Sequence, residues 1–180
     1  MQKTSPPLRH DLPLWAPLVQ ALALSLFHVA LPFGVSRLSS RHGWSAGHPA
    51  LWNVFGLLPV VGGLALIVWI IVLHVRSATQ HGWRMEVTPF EPTQYLIVSG
   101  PYRYTRNPIY LCHCTIWIGW ALFYGSVAVL VGLLLMWLSL AFIIVPYEES
   151  GLMRQLGEPY RRYQSRVPRW FGGSSAAPPR

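Results

Sequence analysis

A chain of 180 residues with 11% charged and 52% apolar residues carries too little charge to cover a water-soluble domain, where about a quarter of residues are charged. The length suits one domain, and the net charge of +8 suits either anionic lipid headgroups or nucleic acid. No nucleic-acid-binding module accompanies the arginines, so composition excludes a soluble domain and leaves a membrane protein.

Three stretches lack Asp, Glu, Lys and Arg: Leu12 to Ser36, His42 to Val75, and Asn107 to Tyr147. A spanning helix needs about 20 residues. The first stretch therefore predicts a span over Leu14 to Phe33 and the second a span over Leu51 to Val75. The third is 41 residues long. As one helix it would run about 60 Å, twice the hydrocarbon thickness. A break at Tyr124-Gly125-Ser126 divides it into a short span, Ile109 to Phe123, and a fuller one, Val127 to Pro146. The first span is longer than a signal-peptide core, and no small-residue cleavage site follows it.

Four spans place Arg37 and Arg41 alone on one side of the membrane, against the other twelve of the 14 Lys and Arg. Positive residues stay cytoplasmic, so both termini are expected inside, in the cell inner membrane. The cytoplasmic segment from Arg76 to Pro108 carries Pro89, Pro92, Pro101 and Pro108, which exclude a long helix. Within it, Tyr95 to Val98 is a short apolar run suited to the interface or to packing under the bundle. From Glu148 onwards, Leu152, Leu156, Tyr160, Tyr163 and Val167 recur at helical spacing. They predict an amphipathic surface helix, anchored by Trp170 and Phe171 at headgroup level. The expected architecture is all-α and polytopic: a tight hairpin of the last two of four transmembrane helices, and a cytoplasmic amphipathic C-terminal helix. Residues 1–171 form one domain in this reading, and 172–180 a disordered tail.

Polar groups crowd the cytoplasmic ends of the last two spans. Tyr102 to Tyr110 leads into the third, and Glu148-Glu149 leaves the fourth. A hairpin would bring the clusters together around one pocket. Arginine forks onto carboxylates, and glutamate accepts from ammonium or ribose hydroxyls, so the set suits a zwitterion. Pro108 fits a first helical turn, whose free N–H groups can receive an anion. Glu148-Glu149 also has a plainer reading, as the acidic start of a surface helix. Arg103 is as readily a topology marker as a ligand. His28 and His74 line a pocket or simply pack, and Trp15, Trp52, Trp120 and Tyr124 are interfacial anchors or packing. In Cys112-His113-Cys114, helical spacing sends the two sulfurs to nearly opposite sides, which predicts neither a disulfide nor a metal site.

The run Gly100-Pro-Tyr-Arg-Tyr-Thr-Arg-Asn-Pro-Ile-Tyr110, then Pro146-Tyr-Glu-Glu149, Gly157-Glu-Pro-Tyr160, Tyr163 and Val167-Pro-Arg-Trp170, resembles the isoprenylcysteine carboxyl methyltransferase and phospholipid methyltransferase superfamily. The resemblance covers roughly residues 85 to 171. It implies S-adenosylmethionine bound at the cytoplasmic ends of the last two helices and enclosed by the carboxy-terminal segment. By the same resemblance, Arg106, Asn107, Pro108 and Tyr110 match the Arg-His-Pro-x-Tyr cofactor motif, and Glu148 and Glu149 match its paired glutamates. Tyr160, Tyr163 and Arg169 match the closing segment more loosely. Asn107 replaces the commoner His, and Cys112 stands where a small Gly often follows.

The expected reaction is methyl transfer to a lipid or small lipophilic acceptor. A carboxylate acceptor needs no base. An amine, thiol or phenol must lose a proton, and Glu148, Glu149 and Tyr110 are candidates to take it, with no sequence feature choosing among them. Competing readings are a membrane reductase of related fold, for which no glycine-rich phosphate loop is present, and a non-catalytic subunit retaining the scaffold.

Overall fold

The computed structural model describes residues 22–80 and 96–171. Residues 14–21 of the first expected span, Tyr95 and the expected 172–180 tail lie outside the described residues. The described chain is mainly helical: α1 (Leu22–Leu38), a two-residue hairpin pair β1 (Trp44–Ser45) and β2 (His48–Pro49), the short α2 (Leu51–Val54), α3 (Leu57–Gln80), α4 (Pro108–Tyr124), α5 (Val127–Leu156) and α6 (Glu158–Arg166).

Leu51–Ser77 and Val127–Leu156 are long and apolar enough to cross a membrane, and α1 and α4 are shorter apolar helices. Leu58, Val61 and Trp69 on α3, and Leu134, Leu135, Phe142 and Ile143 on α5, are exposed. Apolar surface on that scale is stable against lipid, not against water.

Two prolines shape the helices in one way. Pro32 and Pro146 lack the N–H that continues an α-helix, and each ring crowds the carbonyl four residues back. Each is preceded by a π-turn, Leu26–Ala30 and Leu140–Ile144, closed by a five-residue bond from Leu31 N–H to the Leu26 carbonyl and from Val145 N–H to the Leu140 carbonyl. The wider turn lets the helix pass the proline without breaking. The fourth span expected to end at Pro146 therefore continues to Leu156 as one helix. The expected surface helix is divided instead at Gly157, whose φ of 60° ends α5 before α6 begins.

The break expected at Tyr124-Gly125-Ser126 is present. Gly125 has φ 56°, and a Cβ there would lie 2.0 Å from the His42 carbonyl oxygen, so only glycine fits. Ser126 caps α5 by accepting from Val129 N–H. At this end of the bundle Arg41 lies over the rings of Phe33, Trp44 and Tyr124 and donates to Ser36 Oγ. Buried Asn53 donates to the carbonyls of His42 and Leu122. Trp120 stacks on Tyr124 at 5.5 Å, so both are packing residues here.

The core lies between α3 and α4, where Val60, Ile67, Ile70, Cys112 and Ile116 are buried together. Gly56, Gly63 and Gly119 let the two backbones approach closely. A second cluster, Tyr160, Tyr163 and Val167 with Leu96 and Leu152 against it, fastens α6 and the expected apolar run at 96–98 beneath the bundle.

Candidate functional site

The site forms where α4 begins and α5 nears its end. Gly100–Arg103 makes a 3-10 turn, and the chain then turns into α4 with Pro108 in the first turn. His74 of α3 holds that turn, its Nε2 lying 2.9 Å from the Tyr102 hydroxyl.

Glu149 is the centre. Its buried carboxylate takes a two-pronged contact from Arg169, with Nη2 at 2.6 Å from Oε2 and Nε at 3.2 Å from Oε1. Arg106 Nη2 lies 3.3 Å from the same Oε1. Forked guanidinium–carboxylate contacts of this kind are both strong and directional. The hydrogen bond to Glu149 raises the pKa of Arg169 above its ordinary value. The trio has two positive charges and one negative. Arg106 Nε is buried and has no hydrogen-bond partner among the described residues.

Glu148 faces a different neighbour: the Tyr110 hydroxyl donates to its Oε1 at 2.5 Å. These residues are separated by 38 positions, so the contact ties the start of α4 to the far end of α5. Because α5 is continuous through the π-turn, neither glutamate sits at a free helix start, and the helix-dipole reading of the pair does not hold.

The carboxy-terminal segment closes over this cluster. Arg106 N–H donates to the Pro168 carbonyl, and Thr105 Oγ1 and Asn107 Nδ2 both donate to the Arg169 carbonyl at 2.9 and 3.0 Å. Asn107, at the position where the motif usually has His, thus has its amide committed to holding Arg169 in place. Thr105 was not singled out in the sequence. It lies inside the polar run, and its role depends on a carbonyl 64 residues away.

Tyr163 donates to the Tyr102 carbonyl at 2.8 Å, and burial keeps its hydroxyl well above the ordinary tyrosine range and therefore neutral. Tyr160 is buried, and that burial is the first cause raising its pKa. Both tyrosines build the floor beneath the Arg106 turn. The structure thus brings Arg106, Asn107, Tyr110, Glu148, Glu149 and Arg169 into one cluster with Pro108 buried at its base. Arg103 is exposed.

A family model described as phospholipid methyltransferase matches residues 52–158. No curated protein and no solved structure matches the chain.

Proposed function

The chain belongs to the phospholipid methyltransferase family, and on that premise we propose that it transfers the methyl group of S-adenosylmethionine to a lipophilic acceptor at the cytoplasmic face of the membrane. The observation that carries this reading is the buried Arg106–Glu149–Arg169 cluster with its excess positive charge and the unpartnered Arg106 Nε. An amino-acid carboxylate supplies the acceptor that Nε lacks and the negative charge that the trio lacks. Glu148, paired with a neutral donor rather than a cation, is the group placed to meet an ammonium or ribose hydroxyl. Bound there, S-adenosylmethionine supplies a methyl group already activated on sulfonium. The protein then has to hold and align the partners and exclude water. Thr105 and Asn107 serve that end by fixing the closing segment.

Isothermal calorimetry of purified protein with S-adenosylhomocysteine tests the reading. Saturable binding is expected, weakened at least about tenfold in Arg106→Gln, the loss of one charge-assisted contact. No binding by the wild-type protein would return the chain to the reductase or scaffold-subunit readings.

The membrane arrangement in this proposal is a single domain over residues 1–171 with four spans, the last two forming a transmembrane hairpin, and both termini cytoplasmic. Its support is the segregation of charge: Arg37 and Arg41 lie at the Gly125 end of the bundle and Arg106 and Arg169 at the other. Reporter fusions after Arg41 are expected to read outside, and those after Arg84 and Gly172 inside. An outside reading at Arg84 contradicts four spans.

A further inference from the structure

Two histidines meet inside the bundle, away from the ion cluster. His28 lies in the π-turn of α1, and its Nε2 is 2.8 Å from Nδ1 of His113 on α4. The other nitrogen of His28, Nδ1, lies 3.0 Å from the Leu24 carbonyl. A carbonyl can only accept, so in the neutral pair His28 Nδ1 carries the hydrogen and His28 Nε2 carries a lone pair. His113 must then donate from Nδ1, which leaves the lone pair of His113 on Nε2. Among the described residues no hydrogen bond reaches that atom.

The position of His113 gives this lone pair a use. Its ring lies 6.2 Å from that of Tyr110, three residues, or about 4.5 Å, further along α4 from the cluster end. Of the three proton acceptors suggested by sequence, Glu149 is held by two arginines, Tyr110 is itself a donor to Glu148, and Glu148 is the group that the reading above assigns to the ammonium or ribose of the methyl donor. A polar pair used only to join helices needs no imidazole, since Ser, Thr or Asn would suffice. An ionisable residue within a span more often marks a working site.

We propose that His113 Nε2 is the general base of the methyl transfer, held in its tautomer by His28, and that the acceptor is therefore a lipophilic amine, phenol or thiol rather than a carboxylate. The inference rests on the methyl-transfer reading above. The acceptor heteroatom forms a bond to the methyl carbon as the carbon–sulfur bond breaks, its electron pair passing to sulfur. The heteroatom's proton goes to His113 Nε2. The resulting imidazolium, still donating from Nδ1 to His28, releases the proton to water when product leaves. The depth of His113 suits an acceptor that enters from the bilayer, while the polar donor enters from the cluster end.

Two measurements test this. Nitrogen NMR of histidine-labelled protein in micelles, with His113 assigned by its loss in His113→Gln, is expected to show an unprotonated Nε2 and a protonated Nδ1. The opposite tautomer overturns the proposal whatever the activity. Methyl-labelled S-adenosylmethionine with a total membrane lipid extract is expected to give label that survives mild alkali, as N-, O-ether or S-methyl groups do. In His113→Gln, kcat for that product should fall at least about 100-fold with S-adenosylhomocysteine affinity unchanged. Alkali-labile label, meaning a methyl ester, or normal turnover by His113→Gln overturns it. Failure of the wild-type protein to bind S-adenosylhomocysteine would instead sink the methyl-transfer reading, and the tautomer measurement would still stand.

Discussion

Glu149→Gln is expected to abolish useful cofactor affinity, lowering S-adenosylhomocysteine binding at least about 100-fold, and to cost about 3 kcal/mol of stability. The carboxylate is buried between Arg106 and Arg169, whose side chains are 12% and 38% exposed. Removing its charge leaves two guanidinium groups facing each other, one of them almost without water. It also frees Arg169, so the segment held by Thr105 and Asn107 loses its ionic anchor while keeping its backbone contacts. Glu148→Gln is a sharp contrast, because an amide oxygen can still accept from Tyr110 and no buried cation loses its partner. It should cost no more than about 1 kcal/mol. The unequal pair is itself diagnostic, since a merely acidic helix start would make the two positions nearly interchangeable. Arg106→Gln combined with Glu149→Gln should be little worse for binding than Glu149→Gln alone, with a coupling between about 0.5 and 3 kcal/mol. Strict additivity in calorimetry, with both single variants clearly weakened, would mean that the two residues do not share a ligand.

Much of this site was legible in the sequence because its two halves are compact and of unlike charge. Arg106 to Tyr110 and Glu148-Glu149 each read as local clusters, and the length of the apolar run between them required the chain to turn back. The Gly125 turn was legible for the same reason: glycine and serine interrupt an otherwise apolar run. What escaped the sequence depends on distant partners. Thr105, and the contact made by Asn107 though not its place in the motif, depend on a carbonyl of Arg169, and backbone acceptors leave no signature in residue identity. Glu149 differs from Glu148 only through which helix face each occupies, and that depends on the turn at Leu140–Ile144. The end of α5 was misplaced because Pro146 reads as a helix stop, whereas a π-turn ahead of it removes the clash that would have made it one. Pro32 repeats the arrangement in α1, where the π-turn also contains His28. The pairing of His28 with His113, across 85 residues, had no sequence signal beyond two histidines in apolar runs.

Gly119→Ala is expected to destabilise the α3–α4 core by about 3 kcal/mol, the upper part of the usual range for overpacking. A Cβ at Gly119 would lie 2.6 Å from the Gly56 carbonyl oxygen, 2.6 Å from Val60 Cγ2 and 2.8 Å from Val60 N. Two of those three atoms are backbone, so no rotamer change relieves the contact. The helices must move apart instead, and packing at Cys112, Ile116 and Gly63 is loosened with them. In lipid this packing has no hydrophobic drive behind it, because acyl chains are as apolar as the facing helix, so close contact is most of what holds the pair together. Gly62→Ala is the matched control: nothing lies within 4 Å of its Cβ, and alanine improves helix propensity by up to about 1 kcal/mol. Thermal unfolding in detergent should therefore shift down for Gly119→Ala and stay level or rise for Gly62→Ala. Gly119 lies nearer the Gly125 end of α4 than the cluster, so folded Gly119→Ala protein well below its midpoint should still bind S-adenosylhomocysteine, unlike Glu149→Gln. Equal midpoints for the two glycine variants would show that α3 and α4 do not approach through Gly56 and Gly119.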